Sequence, residues 1–391
     1  MEKGLKKWVG LLVLGIALGI VPGTQAAEET QKIGAVLALS GTGASHGEQM
    51  GSGILVWEEQ VNARGGIDGT KIKIITCDHK AQAKEGVNCA SKFISLDKVP
   101  FMFSSYSTVT LSLMPIAEKN KVFVLNGGGT SPTLVGASPY LYNNMVNDSV
   151  GLRINANYAF DTMHLKKLAL YCWNEDSGRW MAKNAPIVWE KKGGQVVESQ
   201  FVSVGQVDVR AQVSKIKAAN PEVVIMAMTG NDIPVALNEM VRQGLTCLKM
   251  GFSHWEIPEV LKISKGASEG IVFATPLWDA KNPLNPAAKD FILGYQKKYG
   301  KDPAMYSATF YEGGMVLEQT LRYLHQQKKE VTGENIKNAI ETIKTFDSIF
   351  GKVTFRKGGE VIKPMALKTV KDGQFTTLRT LSDQELKAVI E

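Results

Sequence analysis

Cysteine, histidine and proline are scarce in this sequence of 391 residues, which contains four cysteines, five histidines and 14 prolines. The cysteines include no Cys-x-x-Cys pair and the histidines show no spacing typical of metal ligands, so we expect no metal site. Because proline is scarce beside 38 glycines, the composition favours the turns of an α/β protein over a low-complexity linker protein.

Long runs of one charge are also missing. The net charge is +7, but lysine and arginine are interspersed along the chain, which argues against a nucleic-acid-binding surface. The positive balance indicates solubility or a general bias toward anions. Apolar residues at 44% and charged residues at 21% are typical of globular proteins and exclude wholesale disorder. At about 150 residues per domain, the length predicts two domains or one large one.

The one long apolar run lies near the N-terminus and is too short to span a membrane comfortably. It covers 14 residues, 8–21, follows three lysines and ends at Pro22. Small residues then precede a cleavage site after Ala26, so we predict that residues 1–26 are a secretory signal peptide; a membrane anchor would need a longer run. The first cysteine is Cys77, so we expect no lipid anchor and a mature protein that is soluble outside the cytoplasm.

The four cysteines could form disulfides in such an oxidising compartment. Cys77 ends a predicted strand and Cys89 lies in the helix that follows, so we expect these two to be able to pair. Cys172 and Cys247 both fall in the second half of the chain, where they either pair or stay buried as free thiols.

Predicted strands and helices alternate along the mature chain, which is the pattern of parallel α/β sheets. The first series has strands at 32–39, 71–77, 99–103 and 122–125, with helices at 48–62, 85–96 and 110–120. The pattern restarts with helices at 148–165, 178–192, 209–219 and 233–243, and strands at 167–172, 195–202, 222–228 and 247–251. The sequence therefore predicts two α/β units.

The C-terminal part is too small for a third domain, so we expect it to complete both units. Its predicted helices are 286–299, 306–326 and 334–342, followed by strands at 351–355, 364–370 and 374–381. We predict that lobe 1 comprises 27–147 plus 277–355, and that lobe 2 comprises 148–276 plus 356–391.

Three loops follow predicted strands of the first unit, where ligands bind in open α/β sheets. Loop 40–47 superficially matches a dinucleotide-binding loop, but no acidic residue ends a second strand at the spacing a ribose needs. Loop 104–108 offers hydroxyl and helix N–H groups to an anion, although helix capping also explains it. Loop 126–132 has three glycines that allow a ligand close to the backbone. A structural role explains each loop taken alone. Together, the three loops favour a small carboxylate-bearing ligand.

One stretch, 62–69, has the pattern Asn-x-x-Gly-Gly-Ile-x-Gly, and weaker motifs lie at 33–41, 71–74, 115–118, 215–224 and 269–270. In their order and spacing they resemble the periplasmic solute-binding proteins of ABC transporters, specifically the branched-chain amino acid (leucine/isoleucine/valine-binding) family. The resemblance implies a two-lobed type I periplasmic binding protein fold. Each lobe would be a mostly parallel sheet flanked by helices, with three hinge crossings between the lobes.

The same resemblance implies a periplasmic receptor that captures an amino acid or related small carboxylate by hinge closure and delivers it to the membrane subunits of an ABC permease. It implies a monomer that needs no cofactor, binds no nucleic acid and catalyses no reaction. The alternative is a ligand-sensing receptor domain for amides or for aromatic or aliphatic acids. A secreted hydrolase has no motif behind it, since the sequence contains no G-x-S-x-G.

By this resemblance, Ser107 holds the ligand's α-carboxylate, while the Gly128 carbonyl and the Thr130 hydroxyl hold its ammonium and carboxylate end. The loop at His46 and three loops of the second lobe close over the ligand. Trp173, at the end of a predicted strand, is a packing or hinge residue or, alternatively, a cleft aromatic. The full set of predicted ligand-binding residues is His46, Ser105, Tyr106, Ser107, Gly128, Thr130, Ser177, Thr229 and Ser253.

The sequence departs from the family where the second lobe normally presents an acidic side chain to the ligand's ammonium group. The matching residue is Ser253, and Ser177 and Thr229 replace aromatic residues of the family. A buried ammonium without a carboxylate is costly. Either Glu256 or Asp232 therefore reaches the ligand, or the ligand carries no ammonium.

Overall fold

The structure, a computed structural model, describes residue 1 and residues 29–390. Apart from Met1, the predicted signal peptide lies outside the described residues. Within 29–390, no helix has both the length and the apolar character that crossing a bilayer requires.

Lobe 1 is built on a parallel sheet whose described strands follow the order β2-β1-β3-β4-β5. Two of its central strands, β3 and β4, are buried at every position, as expected where helices cover both faces of a sheet. The strands are β1 Thr30–Leu37, β2 Lys71–Asp78, β3 Phe101–Ser104, β4 Phe123–Asn126 and β5 Leu141–Asn143. The helices between them are α1 Ala44–Ala63, α2 Ala83–Lys92 and α3 Ser107–Lys119.

Lobe 2 begins with α4 Asp148–Asn157 and repeats the strand–helix alternation. Its parallel strands are β6 Lys167–Trp173, β7 Gln195–Val202, β8 Val223–Ala227, β9 Leu248–Phe252 and β10 Val272–Pro276. The helices after α4 are α5 Asp176–Lys191, α6 Arg210–Ala218, α7 Asp232–Arg242 and α8 Pro258–Ser264. The predicted restart of the α/β pattern at residue 148 is therefore confirmed.

The C-terminal part adds to both lobes. Helices α9 Pro286–Tyr299, α10 Met305–Gln326 and α11 Gly333–Ile343 precede a small antiparallel sheet of β11 Thr345–Ser348, β12 Gly351–Phe355 and β13 Val361–Ile362. Strands β14 Met365–Lys371 and β15 Gln374–Thr380 then extend the lobe 2 sheet in antiparallel fashion, giving the order β15-β14-β10-β9-β8-β6-β7, and α12 Asp383–Ile390 follows. Helix α10 packs along α1, which ties this part to lobe 1.

Helix α9 shows how local sequence sets these boundaries. The Asn285 side chain accepts a hydrogen bond from the Ala288 backbone N–H at 2.9 Å, and Pro286 occupies the first helical position. At the other end Gly300 adopts a φ of 66°, the left-handed conformation that closes many helices. The predicted helix 286–299 therefore matches the observed one.

The described chain leaves the five-stranded sheet after β5, returns after β10 to helices that pack on lobe 1, and re-enters the seven-stranded sheet at β14, so the prediction of three crossings is confirmed. Strand β13 pairs with β12 and continues the small sheet to Ile362. This lies beyond residue 355, where we placed the end of lobe 1. The exact bounds of the two lobes stay a prediction.

A buried ion pair lies beside the third crossing. Lys363, just before β14, pairs with Glu312 of α10, and both side chains are completely buried. Ser348 also donates a hydrogen bond to Glu312 at 3.0 Å. This pair connects α10 of lobe 1 to the segment that enters lobe 2.

The cysteines resolve the alternatives left open by the sequence. Cys77 at the end of β2 and Cys89 in α2 form a disulfide, with their Cα atoms 5.7 Å apart, so that prediction is confirmed. Cys172 and Cys247 are free thiols, and burial raises the pKa of Cys172 to about 12. A buried thiol with a raised pKa has little thiolate and is chemically inert at neutral pH.

Candidate functional site

A cavity lies between the lobes at the carboxyl ends of strands from both sheets. Its empty volume is about 760 Å³, which includes space open to solvent. The loops after β1, β2, β3 and β4 form one wall, and those after β6, β8 and β9 form the other. The lining residues are His46, Met50, Ala81, Tyr106, Ser107, Thr108, Val109, Gly128, Gly129, Thr130, Trp173, Glu175, Ser177, Ala227, Met228, Thr229, His254 and Tyr306.

The lobe 1 wall is centred on the first turn of α3. Tyr106 precedes the helix with a φ of 62°, a left-handed conformation uncommon for residues other than glycine, and Ser107 begins the helix. The Ser107 hydroxyl accepts a hydrogen bond from the Ser131 backbone N–H at 3.0 Å. Free N–H groups at the start of a helix favour a bound anion. This turn is therefore suited to a carboxylate.

Gly128 lets the neighbouring loop approach this turn. A Cβ atom at Gly128 would lie 2.6 Å from the Met50 Cε atom and 2.9 Å from the Ser105 Cβ atom. Both distances are shorter than side chains tolerate, so any larger residue would displace the wall.

Beneath the same wall, Thr130 donates a hydrogen bond to the Asp148 carboxylate at 2.9 Å. Asp148 begins α4 directly after the first crossing and is 3% exposed. Burial raises the pKa of Asp148 to about 7, although the Thr130 hydroxyl opposes this effect. Asp148 thus binds a proton far more tightly in the folded protein than its ordinary pKa of 3.8 would allow.

We expect that the free energy of unfolding decreases less with rising pH in the Asp148→Asn variant than in the wild type. Because the folded pKa is raised, the stabilisation from Asp148 is complete below about pH 4 and is lost as pH rises through 7. Burial lowers the pKa values of His46 and His254, which line the cavity, to about 4 and about 3. Their contribution to stability is therefore lost as pH falls, which is the opposite direction. Urea unfolding between pH 5.5 and 8.5 should therefore show a smaller loss of free energy of unfolding in the variant. Identical pH slopes in wild type and variant would contradict this assignment; the exposed Asp161→Asn serves as control.

The lobe 2 wall carries an aromatic ring and a carboxylate. Trp173 ends β6, and its indole N–H donates to Asp232 at 2.7 Å, which fixes the ring. Glu175 and Ser177 follow at the start of α5, and burial raises the pKa of Glu175. Among the described lining residues there is no lysine or arginine. A ligand carboxylate must therefore be held by N–H and hydroxyl groups.

His46, in the first turn of α1, bridges the two walls. Its Nε2 atom lies 3.2 Å from the Thr229 hydroxyl and 3.4 Å from the His254 backbone carbonyl, both in lobe 2. Its ring also makes an edge contact with Tyr306 of α10. Burial lowers the pKa of His46 to about 4 and that of His254 to about 3, so both rings are neutral at pH 7.

A second contact between the lobes lies beside the cavity. The hydroxyl groups of Ser131 and Thr133 in lobe 1 donate to one carboxylate oxygen of Asp176 in lobe 2, at 2.6 and 2.8 Å. Asp176 is the first residue of α5, where a negative charge is stabilised by the helix dipole. We call these three residues the latch. With the His46 contacts, the latch shows that the lobes meet across the cavity.

A family model for periplasmic binding proteins matches residues 30–374. The chain belongs to the periplasmic binding protein family. The Leu/Ile/Val-binding protein homolog 2 of Brucella abortus (strain 2308) is 25% identical to it over 384 residues, which cover 96% of this chain and 98% of the relative.

Solved structures share the fold of this periplasmic binding protein. A leucine binding protein from Thermotoga maritima MSB8 matches with a TM-score of 0.84 and 24% identity, covering 90% of this chain and 99% of that chain. A solute binding protein of an ABC transporter from R. palustris, in complex with benzoate, matches with a TM-score of 0.80 and 17% identity, covering 91% and 98%. The two-lobed type I fold predicted from the sequence is therefore confirmed.

The cavity of this periplasmic binding protein brings together seven of the nine predicted site residues: His46, Tyr106, Ser107, Gly128, Thr130, Ser177 and Thr229. The other two lie behind the walls. Ser105 is fully buried, with its hydroxyl 2.9 Å from His79 and donating to the Val36 carbonyl. Ser253 is 4% exposed, and its hydroxyl lies 4.0 Å from the Met145 sulfur. The ligand contacts of all nine residues stay a prediction.

Both acids proposed as ammonium partners are engaged elsewhere, which corrects that expectation. Glu256 is buried in an ion pair with Lys368 and accepts a hydrogen bond from Thr275 at 3.2 Å. Asp232 accepts hydrogen bonds from Trp173 and from the Gly205 backbone N–H at 2.8 Å. Neither acid lines the cavity, because these partners hold both carboxylates outside it.

Sequence reasoning missed several lining residues of this binding protein. Glu175 is the lining carboxylate. It comes two positions after Trp173, which directly follows predicted strand 167–172, so a search of this strand-end loop would have found it. His254 likewise comes three positions after the end of predicted strand 247–251. Tyr306 had no such signal, because it comes from α10, far along the chain from the other wall residues.

Proposed function

We propose that this periplasmic binding protein is the substrate-binding receptor of an ABC importer. It captures a small carboxylate between its lobes and delivers it to the membrane subunits of the permease. The observation that supports this best is the cavity itself, whose walls come from the strand ends of both lobes. Closing the lobes encloses the ligand, and opening them releases it. The receptor acts in the periplasm as a monomer and by binding alone.

The proposed carboxylate site is the first turn of α3 together with Ser107 and Gly128. Thr130 borders this site and donates its hydroxyl proton to Asp148, so it can accept a hydrogen bond from a donor group of the ligand. Helix N–H groups and hydroxyls can hold an anion without a cationic partner. The described residues of the lining include no lysine or arginine, which favours a carboxylate over a more highly charged anion such as a phosphate monoester. The lobes that close over it are those we predicted, 27–147 plus 277–355 and 148–276 plus 356–391.

The ligand's class is open between an amino acid and an amine-free acid. One relative is described as a leucine binding protein and another binds benzoate. Glu175 supports an ammonium group in this cavity, since it is the carboxylate of the lining. Trp173, Tyr106 and Tyr306 equally support an aromatic acid, because rings stack well on rings.

A thermal-shift panel on protein that has been unfolded and refolded to remove carried-over ligand tests this function. The panel contains branched and polar amino acids, aromatic carboxylates, short aliphatic acids and amides. A ligand at 100 times its Kd should stabilise the protein by about 2.7 kcal/mol. Stabilisation by no carboxylate of the panel would contradict the proposal.

Ser107→Ala and Thr130→Ala should each weaken binding of the best panel ligand by about tenfold, because each removes a hydrogen bond of about 1.4 kcal/mol. Calorimetric titration measures the Kd. Ser112→Ala is the matched control, since this serine of α3 is exposed and donates only to the Thr108 carbonyl. Wild-type affinity in both site variants would refute the assigned carboxylate site.

A further inference from the structure

One carboxylate oxygen behind the lobe 2 wall accepts hydrogen bonds from two different loops. Oδ2 of Asp232 accepts from the Trp173 indole N–H at 2.7 Å and from the Gly205 backbone N–H at 2.8 Å. Trp173 ends β6, Gly205 lies in the loop after β7, and Asp232 begins α7, which follows β8. These three strands are neighbours in the sheet. A single side chain therefore ties together the carboxyl ends of three adjacent strands.

Two of the three tied segments line the cavity. Trp173 belongs to the lining, and so do Met228 and Thr229, which come four and three positions before Asp232. The Thr229 hydroxyl also lies 3.2 Å from Nε2 of His46, so this segment makes one of the contacts between the lobes. Asp232 itself is not among the described lining residues. Its carboxylate can therefore set the position of the lobe 2 wall from behind.

The two hydrogen bonds are of a kind that holds side chains firmly. Bonds to a carboxylate are among the stronger hydrogen bonds in proteins, and the first turn of a helix favours a negative charge. Asp232 is the first residue of α7. Trp173 is 9% exposed, and a buried indole N–H that loses its acceptor costs free energy. Removing the carboxylate therefore leaves this N–H unpaired or moves the ring.

We propose that Asp232 is a positioning residue for ligand binding. By holding Trp173 and the start of α7, it keeps the lobe 2 wall in the arrangement that meets the ligand and lobe 1. This inference rests on the proposed function and deepens it, because it gives a role in binding to an acid that does not line the cavity. Since Asp232 acts only as an acceptor for two N–H groups, an amide oxygen at this position can take its place.

Calorimetric titration of the best panel ligand with variants of Asp232 tests the inference. Asp232→Ala should raise the Kd by about tenfold, because both hydrogen bonds are lost. Asp232→Asn should keep the Kd within about threefold of wild type, since its amide oxygen still accepts from both N–H groups. Asp208→Ala is the matched control. Asp208 lies in the loop after β7 and accepts from the Arg210 backbone N–H, but its side chain is 59% exposed and lies outside the described lining.

Trp173→Phe connects the effect to the tied ring, because it keeps an aromatic side chain and removes the N–H donor. In the Trp173→Phe background, the further loss of affinity caused by Asp232→Ala should be within about threefold, since the two residues share one interaction. General destabilisation would produce neither this non-additivity nor the rescue by asparagine.

Three outcomes would overturn the inference. They are an unchanged Kd in Asp232→Ala, the same loss of affinity in Asp232→Asn as in Asp232→Ala, and losses that multiply in the double variant. If Asp232→Ala does not fold, Trp173→Phe provides the test alone, and a wild-type Kd in that variant would also overturn the inference. In each case the wild type still binds a carboxylate, so the proposed function stands. Failure of the wild type to bind any acid of the panel would instead contradict the proposed function.

Discussion

Asp176→Ala is expected to weaken binding of the best panel ligand by about tenfold to a hundredfold while leaving the fold intact. The two latch bonds, Ser131 to Asp176 and Thr133 to Asp176, join the lobes and exist only when the lobes meet. Hydrogen bonds to a charged group contribute about 1.5–3 kcal/mol, and each 1.4 kcal/mol is a factor of ten in affinity. Without the latch, the binding-competent closed form is less populated, which raises the apparent Kd.

Calorimetric titration gives the Kd of the variant, and small-angle X-ray scattering of the ligand-free protein should show a larger radius of gyration. Asp383→Ala is the matched control, because Asp383 also begins a helix, α12, but lies away from the latch. A Kd within twofold of wild type would mean that the latch does not contribute to closure. Unchanged unfolding by urea would show that any loss of affinity comes from the lobes and not from misfolding.

Lys363→Met should lower the free energy of unfolding by about 3–5 kcal/mol, because it leaves Glu312 charged, buried and unpaired. The double variant Lys363→Met with Glu312→Gln should recover much of this loss, since no uncompensated charge then remains. Urea unfolding measures both. The cost is expected to be large because neither side chain has any contact with water.

Lys352→Met is the matched control for this experiment. Lys352 also pairs with a carboxylate, that of Asp347, but both side chains are about three-quarters exposed. An exposed pair contributes only about 0–1 kcal/mol. Equal effects of Lys363→Met and Lys352→Met would contradict the importance of burial at the third crossing.

The fold was largely predictable because its signals are local. Strands flanked by turn residues, helices with caps such as Asn285 and the restart at residue 148 are all set by neighbours in sequence. The strand-end loops also predicted much of the cavity, because parallel strands bring their carboxyl ends to one edge. Several boundaries differ by a few residues, and the largest difference is at the predicted helix 148–165. It is α-helical only to Asn157 and then widens into a π-helical turn that ends at Thr162.

The parts of the site that escaped prediction depend on contacts between distant residues. Glu256 is neutralised by Lys368, 112 positions later, and nothing near Glu256 in the sequence announces that partner. Asp232 is likewise held by Trp173, 59 positions earlier. Because these two pairings hold Glu256 and Asp232 away from the cavity, Glu175 is the carboxylate that lines it. The pairings form only when the sheet of lobe 2 has assembled.

The disulfide between Cys77 and Cys89 has a consequence for when the binding wall matures. His79, two residues after Cys77, lies 2.9 Å from Ser105 and makes an edge contact with Tyr106, so this covalent tie supports the turn that begins α3. Thiols stay reduced in the cytosol and become oxidised after export. Under the periplasmic function proposed above, this tie therefore forms only after export. The proposed binding wall is then completed in the compartment where the receptor is proposed to act.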